Sequence, residues 1–437
     1  MAAETQTDAR SGAFHILLVA LATVFAALAI APDTELGRSL TSLLLTLSLG
    51  ASLWAASRSP RLLAAGIVLA TASSVGWFGS LLGLPEGIGL LGPALSSAYF
   101  LAAAAVLSQR VFRTRVVTED TLVGSICIYL LLGLAFACAY LFLDQLDPGA
   151  FELRETGGRA LADFTYLSLV TMTTLGYGDM TPVGGPARAL AVLQSSTGVL
   201  YSAIAVARLV AVYTIGGELP EAEPRQPWHR QRLRNLLIAL SLLVLLPITF
   251  GDLGGSWLRQ GLAAALLLAA LYGLGAGRLA KLAAVPVGIA LALRTWSGDE
   301  GGGAPAIIAY GIEVCVFAAG IAVIARQAIL QSEVNLEVLF GAGCLYVLLG
   351  IWGASTYALV SELGPGALSP PAYSQGQLLY LSFMTLTTTG FGDILPTNRL
   401  AELVSGFIAC LGIFYPAILV ARLVSLSSQS AGQSDSQ

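Results

Sequence analysis

The sequence predicts an all-α integral membrane protein whose twelve transmembrane helices form two six-span repeats. Three observations predict it. Of 437 residues, 56% are hydrophobic and 11% charged, with a mean hydropathy of +0.78, whereas a soluble domain carries about a quarter charged residues. Apolar runs of membrane-spanning length recur along the whole chain. The second half of the chain repeats landmarks of the first at a fixed spacing.

A helix needs about 20 mostly apolar residues to cross a bilayer. Candidate spans in the first half are 14–31, 39–56, 62–82, 88–108, 121–143 and 187–214. The second half supplies 235–250, 258–276, 279–294, 304–325, 336–360 and 399–425. The run Phe14 to Ala31 is too long and too acidic in its flank for a signal peptide, and is read as the first span. The last two spans of each half are separated by a polar, Gly-rich interruption. The expected organisation is a cytoplasmic N-terminus (1–13), a four-span bundle (14–110) and a first pore module (118–214). A cytoplasmic linker (215–234), a second bundle (235–326), a second pore module (333–425) and a cytoplasmic tail (426–437) follow.

The repeat is explicit. Tyr166-Leu-Ser168 recurs as Tyr380-Leu-Ser382, and Thr171-Met-Thr-Thr-Leu-Gly-Tyr-Gly-Asp179 recurs as Thr385-Leu-Thr-Thr-Thr-Gly-Phe-Gly-Asp393. Ala207-Arg-Leu-Val210 recurs as Ala421-Arg-Leu-Val424, all at a spacing of 214 residues. Tyr129, Gly133 and Tyr140 match Tyr346, Gly350 and Tyr357 at a spacing of 217. Duplication accounts for this pattern. Basic residues set the orientation: fifteen of the 22 fall on one side and seven on the other when the termini are cytoplasmic. The acids Asp144, Asp147, Glu152, Glu155, Asp163, Asp179, Glu362 and Asp393 fall on the outer face. The net charge of −4 argues against nucleic acid. Five cysteines lie in apolar runs without disulfide or metal spacing, and His15 and His229 are too far apart for a metal site.

Irregular backbone at membrane depth persists only where it is buried in protein or lines a water-filled cavity. Glycine alternating with other residues lets consecutive carbonyls point one way, because glycine adopts backbone angles closed to L-residues. Four such segments stack rings of carbonyl oxygens that replace the hydration shell of a potassium ion. The candidate filter residues are Thr174, Leu175, Gly176, Tyr177 and Gly178, with Thr388, Thr389, Gly390, Phe391 and Gly392 in the second copy.

These residues resemble the potassium channel signature Thr-Val-Gly-Tyr/Phe-Gly-Asp. The stretch Val170 to Pro182 is similar to a voltage-gated potassium channel filter, and the second copy is similar to the second pore of two-pore-domain potassium channels. The resemblance covers the outer helix, pore helix, filter and inner helix of each half, under half of the chain. It implies a potassium-selective channel subunit, with K+ as the permeant ion, no organic cofactor, and a homodimer supplying four pore loops. It further implies pore helices near 162–173 and 376–387, with their negative C-terminal ends aimed at the cavity. Tyr166 is expected to brace Asp179, and Tyr380 to brace Asp393. Gly198 and Gly412 occupy the family's hinge position, and Pro416 adds a kink. Val199, Ser202, Val206, Ile413, Pro416 and Val420 are expected to face the conduction path, with Arg208 and Arg422 near its cytoplasmic end as anchors or as partners for Glu218 or Glu119.

Two departures keep other readings open. Leu175 and Thr389 stand where the signature has valine, which leaves room for a less selective cation channel. A potassium transporter built from channel repeats is the other alternative, although both filter glycines survive in both copies. No nucleophile–base pair, metal ligand set or phosphate loop points to an enzyme. Spans 88–108 and 304–325 contain no Arg or Lys, so weak or absent voltage dependence is expected. Glu313 is the acid deep in a span, and an interhelical hydrogen bond is its expected role. The linker and the Ser/Gln-rich tail are too short for a ligand-binding domain, which leaves an unidentified regulator open as a partner. A composition rich in Ala, Leu, Gly and Arg fits a GC-rich prokaryotic source and hence an inner membrane.

Overall fold

The computed structural model describes residues 13–30, 35–56, 60–78, 85–113, 119–152, 161–214 and 227–250. It further describes 286, 288–290, 292–293, 303–330, 336–364, 366–370 and 374–434. The chain is mostly helical. Helices α1 (Ala13–Ile30), α2 (Glu35–Ala56), α3 (Pro60–Trp77) and α4 (Leu91–Arg113) precede α5 (Glu119–Leu146), the short α6 (Leu161–Met172) and α7 (Gly185–Thr214). The second half contains α8 (Pro227–Phe250), α9 (Ala304–Leu330), α10 (Leu336–Leu363), the short α11 (Gln375–Leu386) and α12 (Arg399–Ser434). Two-residue strands β1 (Phe151–Glu152), β2 (Thr181–Pro182), β3 (Leu368–Ser369) and β4 (Leu395–Pro396) flank the short helices.

Six helices among the described residues are long and apolar enough to cross a membrane: Leu91–Val111, Asp120–Leu146, Gly185–Ala207, Ala304–Val323, Phe340–Leu363 and Arg399–Ala421. Shorter apolar stretches at Ala13–Leu28, Leu40–Ser52, Gly66–Trp77 and Leu237–Thr249 lie on four more of the expected spans. The expected span 258–276 is outside the described residues, as is 279–294 apart from six positions.

The helices divide into two compact units. One comprises α1–α6, and the other runs from Thr173 through most of α7 and continues from α8 onward. In the first unit, small residues draw helices together where lipid gives no apolar driving force. A Cβ on Gly76 would overlap the backbone of Gly92, so α3 and α4 touch along their glycines. Beside that contact Ser73 shares a 2.6 Å hydrogen bond with Ser96, and Trp77 Nε1 donates to Ser96 Oγ at 2.8 Å. In the second unit, Ser355 Oγ on α10 donates to Glu313 Oε2 on α9 at 3.4 Å, the interhelical bond expected of this acid. The carbonyl ends of α8 fit against two other helix starts. A Cβ on Gly185 would overlap the Thr249 carbonyl oxygen, and one on Gly376 that of Pro247. Glycine at the first turn of α7 and of α11 is what admits α8 there.

Candidate functional site

The short helices α6 and α11 sit one residue N-terminal to the expected pore helices. Each packs on its preceding long helix through the same two devices. Ser168 Oγ on α6 donates to the Gly133 carbonyl of α5 at 2.6 Å, and Ser382 Oγ on α11 donates to the Gly350 carbonyl of α10 at 2.7 Å. Glycine makes the approach possible: a Cβ on Gly350 would overlap the Phe383 ring, and one on Gly133 would lie 3.3 Å from Leu169. A buried tyrosine supplies the second device. Tyr140 on α5 bonds to Thr171 on α6, and Tyr357 on α10 bonds to Thr385 on α11 at 3.2 Å and to Ser405 on α12 at 2.7 Å. Tyr140, Tyr357, Thr171 and Thr385 were visible in the sequence as repeat landmarks. Recurrence at the two spacings was the signal that could have given them this supporting role.

The helix α11 opens with a capping box, in which Ser374 and Gln377 each accept the other's backbone N–H. At its other end the chain turns back on itself. The N–H groups of Thr389 and Gly390 donate to the Met384 carbonyl at 2.9 and 3.2 Å, and that of Thr388 donates to Thr385 at 3.0 Å. These donors are satisfied by the helix end. φ is positive at every second residue: 57° at Thr174, 51° at Gly176 and 75° at Gly178, then 58° at Thr388, 55° at Gly390 and 80° at Gly392. The same alternation recurs in both copies, and glycine holds two of the three positions in each because it adopts these angles without a Cβ penalty. Threonine in this region costs about 1–2 kcal/mol each, so the fold imposes it.

The two segments lie edge to edge. A Cβ on Gly176 would overlap the Thr389 carbonyl oxygen, and one on Gly178 would overlap that of Phe391. On the second segment, a Cβ on Gly390 or Gly392 meets no atom within 4 Å among the described residues. Side-chain packing differs as well. Thr389 and Phe391 are 3% and 5% exposed, while Leu175 and Tyr177 are 52% and 67% exposed.

The end of the second segment that follows Gly392 is held by charge. Tyr380 Oη donates to Asp393 Oδ1 at 3.2 Å, the expected brace. Tyr166 and Asp179 belong to different units of the molecule. Sequence reasoning missed Arg188, at the start of α7, whose Nη2 lies 3.2 Å from Asp393 Oδ2. Its Nε donates to the Pro182 carbonyl at 3.1 Å, and its guanidinium lies 4.9 Å from the Tyr380 ring centroid. Burial pushes the Asp393 carboxyl above the ordinary carboxylate range, against the pull of Arg188 and Tyr380.

Below Thr174 and Thr388 lies a cavity of about 940 Å³ with walls from α7 and α12. All six expected path residues line it: Val199, Ser202, Val206, Ile413, Pro416 and Val420. Gly412 does so too, but as a packing position: a Cβ there would overlap the Leu386 backbone at the end of α11. The helix α12 runs unbroken through Gly412 and Pro416, and Gly198 is buried within an equally continuous α7. The side chains of Arg208, Arg422 and Glu119, and Glu218 as a whole, lie outside the described residues.

The repeated site coincides with what the comparisons found. Both halves match an ion channel family model, over residues 125–214 and 338–429. The double match supports an ion channel function and is consistent with a tandem-repeat channel, and with the apolar helices it points to a membrane protein. No curated protein and no solved structure matches the chain.

Proposed function

We propose that the protein is a potassium-selective channel subunit that assembles as a homodimer, with four pore loops around one passive pathway for K+. The observation that carries this reading is the alternation of positive φ through Thr174–Gly178 and again through Thr388–Gly392. A backbone of this form offers stacked carbonyl oxygens to a dehydrated monovalent cation. The dimer rests on the edges of these segments. One edge of the pair is closed within the chain at Gly176 and Gly178, while the same edge of the second segment, at Gly390 and Gly392, meets open space among the described residues. A second copy brings its own first segment to that edge and closes a ring of four. The twelve-span arrangement, cytoplasmic termini, K+ as the permeant ion and a bacterial inner membrane complete the proposal. Regulation by an unidentified partner also belongs to it.

The test is flux through purified protein in liposomes. Potassium current with unitary steps, carried in preference to sodium, is the expected result. Absence of potassium current, or current unchanged by Gly176→Ala and Gly390→Ala, overturns it. A less selective cation channel is the second reading, and it rests on Leu175 and Thr389, which stand where the signature has valine. Bi-ionic reversal potentials separate the two. Saturable flux without unitary steps would indicate a transporter instead.

A further inference from the structure

We propose that Arg188 is a positioning residue that locks the outer end of the second filter to the first inner helix. Through this joint the two filters of one chain contribute unequally to ion selection. The inference rests on the channel reading above and goes beyond it.

Arg188 makes three contacts at once, each to a different part of the site. Its Nη2 meets Asp393 directly after the second filter, its Nε meets the Pro182 carbonyl after the first filter, and its guanidinium face meets Tyr380 on α11. Tyr380 closes the circuit by donating to the other Asp393 oxygen. A planar guanidinium suits this geometry, because it offers separate donors along its edge and a face for an aromatic ring; an ammonium offers a point charge. The pair is largely buried, with 16% of each side chain exposed, so water is a poor substitute for either partner. Arg188, 205 residues from Asp393 in sequence, therefore joins the exit of one filter to the exit of the other.

The duplication does not copy this joint. At the repeat spacing of 214 residues, the position of Arg188 is taken by Glu402. An acid there cannot make the guanidinium contact to an aspartate. The Arg188 contact to Asp393 is thus not copied at the matching position of the second half, where Glu402 stands.

The experiment uses the full-length protein in liposomes and reads the K+/Na+ permeability ratio from bi-ionic reversal potentials. Arg188→Gln is expected to lower the ratio about tenfold, because removing one partner leaves a largely buried charge uncompensated. Arg188→Lys is expected to recover part of the loss, and Glu402→Gln to leave the ratio within twofold of the parent protein. Asp393→Asn is expected to reproduce the loss, and the double variant Arg188→Gln/Asp393→Asn to fall no further than either single variant, as coupled residues do. A parent-like ratio in Arg188→Gln, or losses that multiply in the double variant, overturns the joint while leaving the channel reading intact. If the parent protein passes no potassium current, the channel reading fails. The same double-variant cycle read as thermal unfolding then decides the joint alone: non-additive shifts support it and additive shifts overturn it. Should Arg188→Gln fail to fold, Asp393→Asn and Arg188→Lys carry the same comparison.

Discussion

The two Gly-x-Gly segments share one backbone and differ in what surrounds it. φ alternates through both in the same places, yet Thr389 and Phe391 are buried while Leu175 and Tyr177 are largely exposed. The second segment hangs from the end of α11 through the Met384 carbonyl, and its exit is clamped by Tyr380 and Arg188. The first segment lends its glycine edge to its neighbour and leaves its side chains uncovered. Backbone conformation follows the motif, whereas packing follows what each segment meets in the fold. A duplicated motif can therefore keep its chemistry while its two supports diverge.

The largest expected effect tests the shared backbone. Gly176→Ala introduces a Cβ at positive φ and into the Thr389 carbonyl, so potassium flux in liposomes should fall more than about a hundredfold, equivalent to about 2.7 kcal/mol. At Gly390→Ala the added Cβ meets positive φ but no atom of the described residues. A flux loss matching that of Gly176→Ala would mean that a second copy crowds this edge as the first segment does, and a milder loss would break the proposed closure. Next comes the clamp. Tyr380→Phe removes a hydrogen bond to a charged group, worth about 1.5–3 kcal/mol, and thermal unfolding with the K+/Na+ ratio should both register it.

The paired devices that hold the short helices α6 and α11 come third. Tyr357→Phe loses bonds to Thr385 and Ser405 and should destabilise by about 1–2 kcal/mol in denaturant unfolding. Tyr140→Phe, losing its bond to Thr171, should cost no more than that. The smallest effect is expected at Leu175→Val. This side chain is half exposed, so stability should change by less than about 0.5 kcal/mol, and any gain in the K+/Na+ ratio isolates the effect of side-chain shape.

Much of this was legible in the sequence. The two short helices fall within one residue of the places that the family resemblance implies. All six path residues implied by the family resemblance line one cavity, and their spacing of three and then four residues after Gly198 and after Gly412 puts each trio on one helix face. The Glu313 bond follows from the cost of burying an acid without a partner. Arg188 was not legible, because its partner lies 205 residues away and the repeat breaks at that point. The packing role of Gly412 was hidden as well, since a glycine that admits a neighbouring backbone and one that bends a helix look alike in sequence. The fit of α8 against Gly185 and Gly376 depends on contacts that no local pattern encodes.

One pair of cavity residues has a further consequence. Position 202 is serine and its repeat mate, 214 residues on, is Pro416. Ser202 points its hydroxyl hydrogen at the Val199 carbonyl, 3.0 Å away, which leaves the oxygen lone pairs turned outward. Pro416 has no N–H, so the Gly412 oxygen one turn earlier is released from the helical ladder. Both residues stand on the cavity wall. A hydrated cation in that vestibule would thus find an alcohol on one wall and an amide oxygen on the other, two unlike solvating groups reached from one ancestral position by opposite changes in hydrogen-bond supply.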